Sequence, residues 1–146
     1  WFIINSLPDE TKLIKAAREV NDRKPQYILS LIDKAIKSTS KEISDINITC
    51  LGISFKADID DLRGSPALEI VKSLCQYDLN KLNIVEPNIS ELPKSIITNN
   101  VSLNSLDVAI DDADIVVVLV DHSEFKLMDR VMLLNKIIID SQGLFN

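Results

Sequence analysis

An anion needs cations and free N–H groups to hold it, and one short stretch of this chain supplies both. Lys56 directly follows the apolar run Ile48-Thr49-Cys50-Leu51-Gly52-Ile53-Ser54-Phe55, and Arg63 stands just ahead of Gly64-Ser65-Pro66. Ser65 is a good N-cap and Pro66 a good first helical residue, so the helix they open leaves unpaired N–H groups beside Arg63. Two cations and a helix N-terminus suit a diphosphate, with the Arg63 guanidinium able to grip a phosphate in two places and Lys56 acting as a point charge. The plain alternative is a solvated lysine and a loop ion pair between Asp61 and Arg63, worth little. Pattern alone favours neither.

Other candidates are weaker. Glu86 could accept from a ribose hydroxyl, but it lies well beyond the offset of about 20 residues at which a dinucleotide site places its acid, and Glu86-Pro87-Asn88 reads more simply as a turn. Asp121 and His122 either touch a ligand or cap the following helix, and capping through Ser123 or Asp121 is the favoured role. The glycine fingerprint G-x-G-x-x-G is missing, since the only glycines are Gly52, Gly64 and Gly143, and no glycine-rich loop leads into a Walker lysine. Cys50 and Cys75 sit in apolar patterns without metal-ligand spacing, so both read as buried free thiols. The single His122 has no Cys or His neighbour in sequence, which argues against zinc.

These candidates need a frame that brings strand ends together. Leu13, Ile14, Ala17 and Val20 recur at helical spacing after Pro8-Asp9-Glu10, which predicts a helix over about 8–22. Pro25 then either opens a second helix or kinks a continuous one, with Ile28, Leu31, Ile32, Ala35 and Ile36 as the apolar stripe. From Asn47 the period changes. Strands are predicted at 48–53, 82–85, 101–103, 115–120 and 136–139, with helices at 66–77, 105–112 and 124–134.

Strands apolar on both faces, alternating with helices, predict a Rossmann-like, doubly wound α/β fold. Its mostly parallel five-stranded sheet is covered on each side, joined by right-handed crossovers and preceded by two helices. The leading helical segment, residues 1–40, has no strand partner in the sequence. It is expected to pack against the rest of a longer protein or a second copy, while residues 41–146 form the sheet domain. Ligands of such sheets bind beyond the carboxyl ends of the strands, and here those ends are polar: Ser54-Phe55-Lys56, Glu86-Pro87-Asn88, Asp121-His122-Ser123 and Asp140-Ser141-Gln142.

The 146 residues are 46% hydrophobic and 26% charged with a mean hydropathy of +0.12, the composition of a globular chain with one core. The longest apolar run, Ile115–Val120, is far short of the roughly 20 residues a spanning helix needs, and no signal peptide opens the chain, so a cytoplasmic location is expected. A net charge of −6 argues against general attraction to nucleic acid or anionic lipid and leaves any anionic ligand to a few local cations. Trp1 stands where Met would open a complete chain, so a piece of something longer is expected.

The stretch Gly52-Ile53-Ser54-Phe55-Lys56-Ala57-Asp58-Ile59-Asp60-Asp61-Leu62-Arg63-Gly64-Ser65-Pro66-Ala67-Leu68-Glu69 carries, in order, G-x-x-F-K, a short acidic loop, D-x-R and S-P-A. In this it resembles the C-terminal, UDP-binding domain of the UDP-glucose/GDP-mannose dehydrogenase family. Ala17-Arg18-Glu19-Val20-Asn21-Asp22-Arg23-Lys24-Pro25 looks like the family's central-domain helix. Val85-Glu86-Pro87-Asn88-Ile89 and Leu119-Val120-Asp121-His122-Ser123-Glu124-Phe125-Lys126 look most like the bacterial branch that acts on UDP-N-acetyl-D-mannosamine. The resemblance runs over essentially the whole chain.

That resemblance implies an enzyme that oxidises the C6 hydroxyl of a UDP-linked hexose to a carboxylate in two steps, reducing two NAD⁺, in the synthesis of surface-polysaccharide precursors. Carried onto this sequence, it implies that Phe55 and Lys56 contact the UDP-sugar, that Arg63 reaches the NAD pyrophosphate, and that Asp61 and Ser65 support them, with no metal. The family's nucleophilic cysteine lies in a G-G-x-C segment upstream of the central helix and matches neither Cys50 nor Cys75. The NAD-binding N-terminal domain has no counterpart either, so the chain is expected to bind a nucleotide sugar without turning it over.

The sequence departs from the family pattern at Ile59, where threonine is common, and at Gly64, where glutamate or asparagine is common, which implies a more mobile loop. Gln142 stands near a position where other branches carry a substrate arginine. The family dimerises through its central helices, which would give Leu13, Ile14, Ile28, Leu31 and Ile32 a partner-facing role beside core packing. Alternatives are a related enzyme for UDP-glucose or UDP-N-acetylglucosamine, an oligomerisation module built on the leading helices, and a receiver-like domain using Asp60, Asp61 and Asp121. Against the last, the acid pair comes late and the lysine follows the first strand instead of the last.

Overall fold

A computed structural model describes residues 11–145. Among the described residues a single helix precedes the sheet: α1 (Lys12–Ser38) is continuous through Pro25, where the sequence left open a second helix or a kink. The predicted start at Pro8-Asp9-Glu10 lies outside the described residues. Proline deletes one N–H from the helical ladder and crowds the preceding turn, and flanking interactions offset this. Arg18–Asp22 and Glu19–Arg23 pair one turn apart ahead of it, at 3.2 and 3.6 Å. Beyond it, Ile28, Ile32 and Ala35 are buried in the main core, so packing fixes the C-terminal half of the helix.

Five strands follow: β1 (Asn47–Leu51), β2 (Lys81–Val85), β3 (Val101–Leu103), β4 (Ile115–Val118) and β5 (Ile137–Asp140). They form one all-parallel sheet in the order β3-β2-β1-β4-β5. The period-2 alternation of each strand divides its side chains between two cores. Ile48 and Cys50, Leu82 and Ile84, and Ile115 and Val117 face α1 and helix α2 (Pro66–Leu74). Leu51, Val85, Val116 and Val118 face helix α3 (Leu106–Asp111), the single turn α4 (Ser123–Lys126) and a 3₁₀ turn at Arg130–Leu133. Burial on both faces is why these strands read as unbroken apolar runs.

Several boundaries differ from the sequence pattern, with β1 ending at Leu51 and α2 at Leu74, and two of the differences have clear local reasons. The helix expected over 124–134 breaks because the Asp129 carboxylate accepts from the Val131 N–H at 2.9 Å and caps a new turn there. The strand expected to continue to Val120 ends at Val118, since the N–H groups of Leu119 and Val120 both turn onto the Leu51 carbonyl. The order reverses at the β1–β4 boundary: connections before it build outward on one side of β1, and the chain then returns to the other side. A crevice forms where such an order reverses, and the loop carrying Lys56 and Arg63 leaves β1 at this point.

Candidate functional site

The site is built on the exit from β1. Gly52 turns the chain with φ +83°, and a Cβ there would lie 2.5 Å from Cβ of Val120, so only glycine lets the β1 and β4 exits approach this closely. Beyond it the loop is closed at its base by the Phe55 N–H donating to the Asp61 carbonyl at 2.8 Å. Ser54 Oγ donates to the Lys56 carbonyl at 2.9 Å. Ser65 caps α2 by accepting from the Leu68 N–H, and its hydroxyl also donates to the Ser54 carbonyl at 3.0 Å. One serine thus starts the helix and ties it to the strand exit.

The Asp61–Arg63 pair forms with two-point geometry, Nε to Oδ1 at 2.9 Å and Nη2 to Oδ2 at 2.8 Å, and the Arg63 N–H adds a third bond. Those bonds from Arg63 hold the Asp61 carboxyl well below its ordinary value, at about 2. The Arg63 side chain is 91% exposed, and its bonds to Asp61 run through Nε and Nη2. The loop ion pair of the plain alternative therefore exists, and it presents the other edge of Arg63 outward. Lys56 is exposed and pairs with no carboxylate among the described residues.

Phe55, itself exposed, lines two adjoining clefts. One, of about 160 Å³, lies over the β1–β4 boundary between Ser54, Phe55, Ala67, Gln142 and, from α1, Asn21 and Lys24. The Ala67 N–H belongs to the first turn of α2 and has no carbonyl to bond within the helix. The other cleft, about 270 Å³, runs between α1 at Arg18 and Asp22 and the loop at Gly64 and Pro66. Lys56, Asp61 and Arg63 stand on the loop beside these clefts and line neither. Lys24 is a cation that the sequence pattern did not single out; its one signal is the one-turn spacing from Asn21 on a helix whose next turns are buried.

Glu86 and His122 depart from what the pattern favoured. The Pro87-Asn88 turn is present, but Glu86 faces inward and is buried, accepting from the Ile53 and Ser54 N–H groups at 2.8 and 3.0 Å. His122 is fully buried and caps nothing with its side chain. Its Nε2 lies 3.1 Å from the Glu86 carboxylate, and its Nδ1 accepts from the Asp58 N–H at 2.9 Å. Ser123 and Asp121 do not cap α4 either. The Ser123 N–H and hydroxyl both donate to Asp58, and Asp121 pairs with Lys126 at 3.0 Å. A loop carboxylate from the far side of the crevice thus takes over the local cap, and its bonds from Ser123 lower the Asp58 pKa.

Asp61 and Asp121 pair with Arg63 and Lys126, and among the described residues no three acids, histidines or cysteines stand close enough to hold the metal ion that a receiver's acid cluster binds. Cys50 and Cys75 are free thiols, and burial pushes the Cys50 thiol up, far from a nucleophile's range. Among the described residues no helix is long and apolar enough to cross a membrane.

The model of the UDP binding domain of the UDP-glucose/GDP-mannose dehydrogenase family matches residues 49–146. The chain is 42% identical over its whole length to the NDP-N-acetyl-D-galactosaminuronic acid dehydrogenase of Ralstonia solanacearum, covering 33% of that protein. It is 40% identical to the UDP-N-acetyl-D-mannosamine dehydrogenase of Escherichia coli K12 over 99% of this chain and 35% of the relative. Among solved structures, the UDP-N-acetyl-mannosamine dehydrogenase of S. aureus superposes with a TM-score of 0.74 at 30% identity, over 99% of this chain and 32% of that one. The chain spans about a third of the length of the curated relatives it matches. A family model that begins within β1 and takes in the β1 exit, its loop and the cap of α2 agrees with the site described above, and the chain belongs to the UDP-glucose/GDP-mannose dehydrogenase family, carrying its UDP-binding domain.

Proposed function

We propose that this chain is the nucleotide-sugar-binding part of an NAD-dependent UDP-N-acetyl-D-mannosamine 6-dehydrogenase, which oxidises the sugar C6 hydroxyl to a carboxylate in two steps and yields UDP-N-acetylmannosaminuronate for surface polysaccharide. The observation that supports this is the tie from Ser65 to Ser54, which joins the start of α2 to the β1 exit beside the cleft that Ser54, Phe55 and Ala67 line, with Lys56 next in the chain. Lys56 then meets the diphosphate as a point charge, the Ala67 N–H donates to it, and the Phe55 ring packs on the ligand. Residues 1–40 belong to the end of the central, dimer-forming domain and residues 41–146 to the UDP-sugar domain, in a cytoplasmic homodimer joined through the leading helix.

NAD, which accepts hydride from the substrate when bound, fits this chain at one point only. The free edge of Arg63, held by Asp61, can meet a pyrophosphate, whereas no glycine-rich nucleotide loop is present. The remainder of the NAD site, and the nucleophilic cysteine that neither Cys50 nor Cys75 supplies, belong to other parts of the enzyme. The chain by itself binds substrate without oxidising it. The similarity to the R. solanacearum relative supports a second reading in which the sugar has the galactosamine configuration; titration with each UDP-N-acetylhexosamine separates the two.

Calorimetric titration with UDP tests the site. Lys56→Ala is expected to remove a charge-assisted contact of about 1.5–3 kcal/mol and to weaken binding roughly 10- to 100-fold. NAD⁺ is expected to bind this chain more weakly than UDP, since only Arg63 is available to it here. Saturable UDP binding indifferent to the substitution would move the diphosphate elsewhere on the rim.

A further inference from the structure

The buried Glu86–His122 pair lines neither of these clefts, yet apart from its bonds with Asn88 its hydrogen bonds run to the segment that carries Lys56. Three strand ends supply its parts: Glu86 follows β2, Ser54 follows β1, and His122 follows β4. The ring is held edge-on against Phe125 with centroids 5.2 Å apart.

Counting hydrogens assigns the imidazole. Nδ1 faces two donors, the Asp58 N–H at 2.9 Å and the Asn88 Nδ2 at 3.3 Å, so it is the acceptor. Nε2 therefore carries the hydrogen and points it at the Glu86 carboxylate at 3.1 Å and Ser54 Oγ at 3.2 Å. The Ser54 hydroxyl hydrogen is already given to the Lys56 carbonyl, so its oxygen is left to accept. The relay is directional: Glu86 orients the ring, the Nε2–H orients Ser54, and Ser54 fixes the Lys56 backbone. At the other end of the ring, Nδ1 accepts from the Asp58 N–H and so fixes a residue that sits at φ 61°, in the left-handed region that Asp visits more readily than most L-residues. Lys56 and the crest of the loop are thereby tied to one buried side chain.

We propose that His122, oriented by Glu86, is the positioning residue for Lys56 and sets the geometry with which the loop meets the diphosphate. The inference rests on the diphosphate site proposed above. It assigns His122 a role in ligand affinity without contact to the ligand, which burial of the ring and commitment of both nitrogens exclude.

A double-mutant cycle on UDP affinity tests it, because residues acting through one another are non-additive while independent defects multiply. In His122→Asn the amide oxygen can replace Nδ1, but the side chain is too short to reach Glu86 or Ser54. In His122→Gln an amide nitrogen stands near the place of Nε2 and keeps both of those bonds. His122→Asn is expected to weaken UDP binding roughly tenfold, His122→Gln by no more than about twofold, and His122→Asn to add nothing in a Lys56→Ala background.

Losses that multiply, or a Gln variant as impaired as the Asn variant, would overturn the positioning role while leaving the diphosphate site standing. If Lys56→Ala itself leaves UDP affinity unchanged, the diphosphate reading falls and this inference with it. Should His122→Asn fail to fold, the same cycle with Ser54→Ala, which deletes only the hydroxyl link, decides between additive and non-additive behaviour.

Discussion

Glu86 illustrates how one buried carboxylate links the loop to acid stability. Burial disfavours its charged form, but hydrogen bonds from His122, Ile53 and Asn88 outweigh that and hold the carboxyl below the usual glutamate value. The unfolded chain therefore binds a proton more readily in that window, and stability rises with pH across it. The contribution of Glu86 is complete above the unfolded glutamate pKa of about 4.3 and is lost as pH falls through its lower native value. Glu86→Gln should cost about 1.5–3 kcal/mol at neutral pH and make stability fall less steeply below about pH 5. Urea unfolding over a pH series measures both, and superimposable pH profiles would contradict the assignment. Asp58 and Asp61, also lowered by their partners, keep part of the acid slope in the variant.

At the scale of elements, the two glycines of the loop have opposite reasons to be there. Both have positive φ, +83° at Gly52 and +67° at Gly64, but a Cβ at Gly52 meets Val120 and His122 whereas one at Gly64 meets nothing within 4 Å. Gly52→Ala combines left-handed strain with overpacking between strand exits and is expected to cost about 3 kcal/mol or more. Gly64→Ala meets the strain alone, about 1–2 kcal/mol, without displacing any neighbour. Thermal or urea denaturation ranks the pair, and equal losses would mean that the close approach of β1 and β4 is not what holds Gly52. The departure from the family pattern at Gly64 is thus a matter of backbone conformation at an open turn.

For the molecule as a whole, α1 divides into two halves with different surroundings. Ile28 and Ile32 belong to the core and Leu31 packs against it, so these three are core residues. Leu13, Val20 and Tyr27, 82%, 69% and 57% exposed, recur every seventh residue along the first half, with Ile14 beside them. An exposed apolar stripe of that kind offers a face on which a second helix can pack. In the proposed homodimer this is where the copies meet. Sedimentation equilibrium is expected to show concentration-dependent dimers for the native chain and monomers for Val20→Glu; a native chain that stays monomeric at high concentration would remove the helix-mediated dimer.

What the sequence determined by itself was whatever depends on neighbours a few residues apart. The change of period after Asn47 specified a parallel sheet faced on both sides, and Ser65-Pro66 specified the start of α2, because each is settled within a turn or a pleat; the pattern left Arg63 open between a phosphate and Asp61, and the fold shows the pair with Asp61. Tertiary structure decided the rest. Whether Pro25 ends α1 depended on burial of the turns that follow it. Glu86, Ser54 and His122 are far apart in the chain and meet only because the sheet order sets β2, β1 and β4 side by side. Their one signal in the sequence was a polar residue directly after each apolar strand, which marks a rim without saying which side chains turn inward. Lys24 likewise reaches the cleft only because the second half of α1 packs on the sheet. Local preference fixes elements, whereas the partners of a buried polar group are chosen by the order in which those elements are laid side by side.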